Sequence, residues 1–92
     1  MNITYRIDND IIYVAIEGRV DASNASIVEE QIFNIKNEHN NKHMVIDADK
    51  LEYISSAGLR VVLRLRKEEP KLAIINVAAE VYEIFDMTGF TD

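Results

Sequence analysis

The chain has 92 residues, 48% of them hydrophobic, with three glycines, one proline and no cysteine. That length gives one domain, and that apolar content suits a chain that buries a core, so disorder, a disulfide framework and a thiolate metal site are set aside. A formal net charge of −6 disfavours a nucleic-acid backbone as partner, while the lack of a leader pattern at Met1 to Arg6 and of an apolar run near about 20 residues leads us to expect a cytoplasmic protein with no signal peptide and no direct membrane insertion.

Ile3 to Ile7 alternates apolar and polar and predicts a strand. Asn9-Asp10 is turn chemistry, and Ile11 to Glu17 predicts a second strand, so the two form a hairpin. After Gly18 the chain leaves the sheet, and Asp21, Ser23 and Asn24 are all candidate helix caps. Ala25, Val28, Ile32 and Ile35 form one helical stripe over Ala25 to about Glu38. Ser26 with Glu29 also matches a capping box. Asn40-Asn41 stops this helix. His43 to Asp47 is a nearly continuous apolar run, as an interior parallel strand requires.

An acidic loop, Asp47 to Ile54, leads to Ser55-Ser56-Ala57-Gly58-Leu59. A short helix is expected over Leu59 to Lys67, with Leu59, Val62 and Leu63 facing inward and Pro70 forbidding its extension. Leu72 to Asn76 reads as a buried strand, and Ala78 to Met87 as a helix with Val81, Ile84 and Phe85 on one side. Thr88-Gly89-Phe90 is a turn, with Gly89 a candidate C-cap. The expected fold is therefore α/β: a mixed sheet of about four strands, made of an N-terminal hairpin plus parallel β-α-β units, with three helices. The order is β-β-α-β-α-β-α.

This topology sets the strand ends near Glu17, Asp47 and Asn76 on one sheet edge, where open α/β sheets place their sites. Asp21, Ser23 and the stretch from Asp47 to Ser56 lie just beyond those ends, and are expected together there. A serine at a helix start caps free amides, and a phosphate on it would sit among them. The serine pair is thus an ordinary cap or a regulatory switch. A serine hydrolase is excluded, because His39 and His43 precede the third strand while the serines follow it, and the G-x-S-x-G elbow is missing. Asp21, Asp47, Asp49 and Glu52 are oxygen donors without the spacing of a calcium loop, so solvated carboxylates are the simpler reading and no metal is expected. No phosphate-cradling glycine motif is present, so no nucleotide cofactor is expected. Arg60, Arg64 and Lys67 share a helical face, either solvated and balanced by Glu68 and Glu69 or a partner surface beside Ser56. Tyr53 and Ile54 are either a loop's apolar anchor or an exposed docking pair.

Taken together, four segments resemble the STAS domain of bacterial anti-sigma-factor antagonists: Glu17-Gly18-Arg19-Val20-Asp21; Val45-Ile46-Asp47 leading to Tyr53-Ile54-Ser55-Ser56-Ala57-Gly58-Leu59-Arg60; Ala73-Ile74-Ile75-Asn76-Val77; and Ile84-Phe85-Asp86-Met87-Thr88-Gly89-Phe90. The resemblance implies a binding protein and not an enzyme. It implies that the unphosphorylated form binds an anti-sigma factor that is also a serine kinase of the histidine-kinase-like ATPase fold, and so frees a sigma factor. It further implies that phosphate on one serine ends that binding and that a PP2C-type phosphatase restores it. Anchoring on Gly58-Leu59 implies Ser56 as the acceptor, with Ser55 the alternative, since Ser55 stands where the family usually has Asp. It places Asp21, Ser23, Asp47, Tyr53, Ile54, Ser55, Ala57, Gly58 and Arg60 at or near the partner surface. Residues 1–92 are then one STAS domain, ending before the C-terminal segment that relatives usually carry. Other STAS roles are a non-phosphorylated subunit of a membrane transport complex and a small-ligand sensor.

Overall fold

The computed structural model describes residues 1–39 and 42–87. Strands β1 (Asn2–Asp8) and β2 (Ile11–Val20) pair antiparallel, from Asn2 opposite Glu17 to Asp8 opposite Ile11. Their turn is closed by Asn9 at φ 56°, in the left-handed region that asparagine tolerates. Helix α1 (Ala25–Glu38) follows with the expected bounds. Ala25, Val28 and Ile32 are buried and Ile35 packs partly against them. The helix start is at Asn24, so Ser26 is not a cap, and Glu29 pairs instead with Arg64. Strand β3 (His43–Asp47) runs parallel to the first half of β2, from Ile11 opposite His43 to Ala15 opposite Asp47.

One element was not legible in the sequence. The expected acidic loop contains a fifth strand, β4 (Leu51–Ile54), parallel to the far end of β2. Its register shifts between Gly18 and Arg19, and Gly18 sits at φ +97°. This is the conformation in which a glycine lets a strand bulge and bend. The second strand accordingly runs on to Val20, three residues past the expected end at Glu17.

Helix α2 (Ser56–Glu68) then starts three residues before the expected Leu59. Its buried stripe is Gly58, Leu59, Val61, Val62 and Leu65. Leu63, expected inward, is 48% exposed, because it falls about 40° beyond Leu59, the edge of that stripe. The helix ends at Glu68, ahead of Pro70. Strand β5 (Ala73–Ile75) pairs parallel with β3, giving the order β1-β2-β3-β5 with β4 on the end of β2. Helix α3 (Ala79–Met87) buries Val81 and Phe85 and packs beside β4. Among the described residues the fold is thus a five-stranded mixed sheet with three helices. Alternate residues of the inner strands, Ile12, Val14, Ile16, Met44 and Ile46, share one core with the helices. The Asn40-Asn41 stop and the Thr88-Gly89-Phe90 turn lie outside the described residues.

Candidate functional site

The starts of α1 and α2 are joined through the ends of β2 and β4. Val20 lies opposite Ile54, and the Ser55 amide donates to the Val20 carbonyl at 2.9 Å. Ser55 is the N-cap of α2: its backbone is extended, and its hydroxyl oxygen accepts from the Gly58 amide at 3.3 Å. Its carbonyl accepts from Leu59 N at 2.9 Å. Ser56 is therefore the first helical residue, and its side chain is exposed, whereas Ser55 is half-buried. The cap, which the sequence left open between the two serines, is Ser55. Ser55 does what Asp does equally well at a cap, so a serine fits the position where the resemblance leads one to expect Asp.

Gly58 fixes how closely this turn sits on the sheet. A Cβ there would come within 2.6 Å of Ile54 Cγ1 and 2.8 Å of Val20 Cγ1. Both of those side chains are buried in the core. Gly58 and Ile54, expected at the partner surface, are thus packing residues whose side-chain positions face inward. Ile54 is the apolar anchor, and Tyr53 beside it is half-buried. The Arg19 guanidinium lies over the Tyr53 ring, 4.5 Å from its centroid. Arg19 had no role in the sequence reading beyond its motif. The signal that could have found it is the continuation of β2 past Gly18, which sets Arg19 opposite Tyr53.

The α1 start is a closed network. Asp21 N donates to Asn24 Oδ1 at 3.0 Å, and Asn24 Nδ2 donates to the Arg19 carbonyl at 2.9 Å. Ser23 donates to Asp21 Oδ1 from both its amide and its hydroxyl. The Ser23 hydroxyl, with its amide and the Arg19 charge, holds the Asp21 carboxyl below the usual carboxylate range. Asn24 occupies the cap position without a side-chain bond to the helix, while Asp21 accepts from Ala25 N through its carbonyl at 2.9 Å.

Asp47 is not part of this cluster. It lies level with Ala15, five residues before Val20 along β2, or roughly 16 Å of extended chain. The unforeseen strand β4 carries the serines that distance away. Asp47 Oδ1 instead accepts from the Asp49 amide at 3.0 Å and from Asn76 Nδ2 at 3.1 Å. Asn76 sits at φ 59°, again left-handed. His43 lies further still, level with Ile11, and its ring is 3.7 Å from Glu69. Among the described residues no cluster of three or more metal-ligating side chains occurs, and no helix is long and apolar enough to cross a membrane.

Fold and site together define a small mixed α/β domain whose exposed feature is a serine on the first turn of a capped helix. The STAS domain model matches residues 2–92. A protein of Bordetella bronchiseptica named as an anti-sigma factor antagonist, BtrV, is 31% identical over 94 residues, covering 98% of this chain and 80% of that protein. An anti-sigma factor antagonist from Mycobacterium paratuberculosis superposes with a TM-score of 0.86 at 18% identity, over 96% of this chain and 77% of that one. The Bacillus protein SpoIIAA, solved in unphosphorylated and phosphorylated forms, gives TM-scores of 0.78 and 0.71 at 15% and 14% identity, over 97% and 98% of this chain and 82% and 86% of those. The chain belongs to the STAS domain family, and these relatives are named as anti-sigma factor antagonists.

Proposed function

We propose that this protein is a phosphorylation-switched antagonist of an anti-sigma factor, acting in the cytoplasm. The observation that carries the reading is the exposed Ser56 hydroxyl at the first turn of α2, freed from capping duty by Ser55. In the unmodified form the α2 start and its surroundings bind an anti-sigma factor that is also a serine kinase, and the sigma factor is released. The kinase then transfers the γ-phosphoryl group of its ATP. An Oγ–P bond forms at Ser56, the bond between phosphorus and the β–γ bridging oxygen breaks, ADP leaves, and the hydroxyl proton passes to a base of the kinase or to water.

The product carries about −1.5 to −2 further charge at one point of the interface. Helix amides at the α2 start tolerate that charge. The partner surface, complementary to a neutral hydroxyl, does not. A PP2C-type phosphatase returns the hydroxyl. The fold itself need not change, because the cap is made by the other serine. Calorimetric titration with the anti-sigma factor of the same genome tests this. Wild type and Ser56→Ala should bind alike, and Ser56→Asp should bind at least about tenfold more weakly, the scale of one like-charge or desolvated-charge penalty in an interface. Equal binding by Ser56→Asp would contradict the reading.

A further inference from the structure

Helix α2 carries a second exposed feature. Ser56, Arg60, Leu63 and Lys67 are all exposed and are spaced by four, three and four residues, so they line one side of the helix. Arg64, which pairs with Glu29 of α1, stands only about 40° from Arg60 and about 60° from Lys67 around the helix, so the stripe borders the α1 side, where Lys67 lines a cleft with Phe33. Among the described residues Arg60 and Lys67 have no hydrogen-bond or ion-pair partner, whereas Arg64 does. The stripe is therefore two free cations around an apolar centre, Leu63 at 48% exposure, on a chain whose net charge is −6. Such a local reversal of sign selects and orients a partner whose own patch is acidic around an apolar contact.

Arg60 also stands four residues after Ser56. Helical side chains lean towards the N-terminus, so a side chain as long as that of Arg60 can reach the turn that bears Ser56. An anion at position i with a cation at i+4 is the favourable order on a helix. Guanidinium and phosphate also match as a bidentate pair.

We propose that Arg60 is the residue through which phosphate on Ser56 shuts the stripe. In the unmodified chain Arg60, Leu63 and Lys67 dock an acidic patch of the partner. In the modified chain the phosphate draws Arg60 back onto the helix start and cancels the stripe's charge. The inference rests on the reading of Ser56 as the acceptor. It adds to that reading a share of the lost binding, about twofold for a pair of that strength, that comes from capture of Arg60, the rest coming from repulsion.

The test uses full-length protein with phosphoserine built in at position 56 during synthesis, so that no kinase is needed. Phosphorus NMR follows the second ionisation of the phosphate at low salt. Against Arg60→Gln, the wild-type phosphate should titrate about 0.3 of a pH unit lower, the scale of one i to i+4 ion pair. The gap should close at high salt, and Lys67→Gln should leave the titration where it is. Identical titrations of wild type and Arg60→Gln, or an equal shift from Lys67→Gln, would overturn the capture. In the unmodified protein, Arg60→Gln should weaken binding to the anti-sigma factor about five- to tenfold, as loss of a central interface contact does, and unchanged affinity would overturn the docking role. If Ser56 is not the acceptor in the cell, kinase mapping fails while the phosphorus titration still succeeds, so the two failures are distinct.

Discussion

The starts of α1 and α2 are neighbours in space, yet they use their polar side chains in opposite ways. At α1, Asp21, Ser23 and Asn24 bond to one another and to the backbone of Arg19. At α2, one serine caps the helix and the next is left exposed. A polar side chain that is consumed locally cannot accept a phosphate without dismantling its turn. A hydroxyl one residue past the cap can, because the capping bond to the Gly58 amide is made by Ser55. On the proposed reading, the difference separates structural from regulatory hydroxyls within a span of two strand ends.

The largest expected break in this comparison is Gly58→Ala. Its Cβ would overlap Ile54 and Val20, which are 2% and 1% exposed in the core. Overpacking costs about 1–3 kcal/mol, and alanine's helix propensity returns up to about 1. Urea unfolding should therefore show a net loss of up to about 2 kcal/mol, and a gain in stability would refute the close approach.

Ser55→Ala should cost about 1 kcal/mol by loss of the cap, and Ser55→Asp should restore most of it. Ser56→Ala should change stability by less than about 0.5 kcal/mol, as exposed positions without such a bond do. If the two alanine variants were equally stable, the division of roles between the serines would fail.

The smallest effect lies at the α1 start. Removing the hydroxyl in Ser23→Ala should raise the Asp21 pKa towards the ordinary carboxylate range, read by NMR of the side-chain carbon. With its folded pKa depressed, Asp21 contributes stability that is present above its unfolded pKa and is lost as pH falls through the folded value. Ser23→Ala should shrink that acid-side loss. An unmoved Asp21 titration would show that Ser23 is not its main partner.

Elements with a clean period were legible in the sequence. The stripe Ala25, Val28 and Ile32 gave α1 its bounds, and the apolar run from His43 gave β3. Strand β4 was not legible because it is only four residues long and its buried residues, Leu51 and Ile54, are three apart instead of two. The early start of α2 was hidden because Ser55-Ser56-Ala57-Gly58 looks like a turn, and only the capping bond to the Gly58 amide tells which serine stands outside the helix. Missing β4 also made Asp47 seem a neighbour of the serines, when the strand carries them roughly 16 Å along β2. Leu63 was misread because one apolar residue in a row of Val61, Val62, Leu63 must face out. That exposed leucine became the centre of the proposed docking stripe.

The central claim is that Ser55 holds the helix and Ser56 accepts the phosphate. Its most direct test is phosphorylation of wild type, Ser55→Ala and Ser56→Ala by the anti-sigma serine kinase of the same genome with ATP, followed by mass-spectrometric site mapping. One phosphate on Ser56 is predicted in wild type and in Ser55→Ala, and none in Ser56→Ala. Phosphate on Ser55, or undiminished modification of Ser56→Ala, would contradict the account.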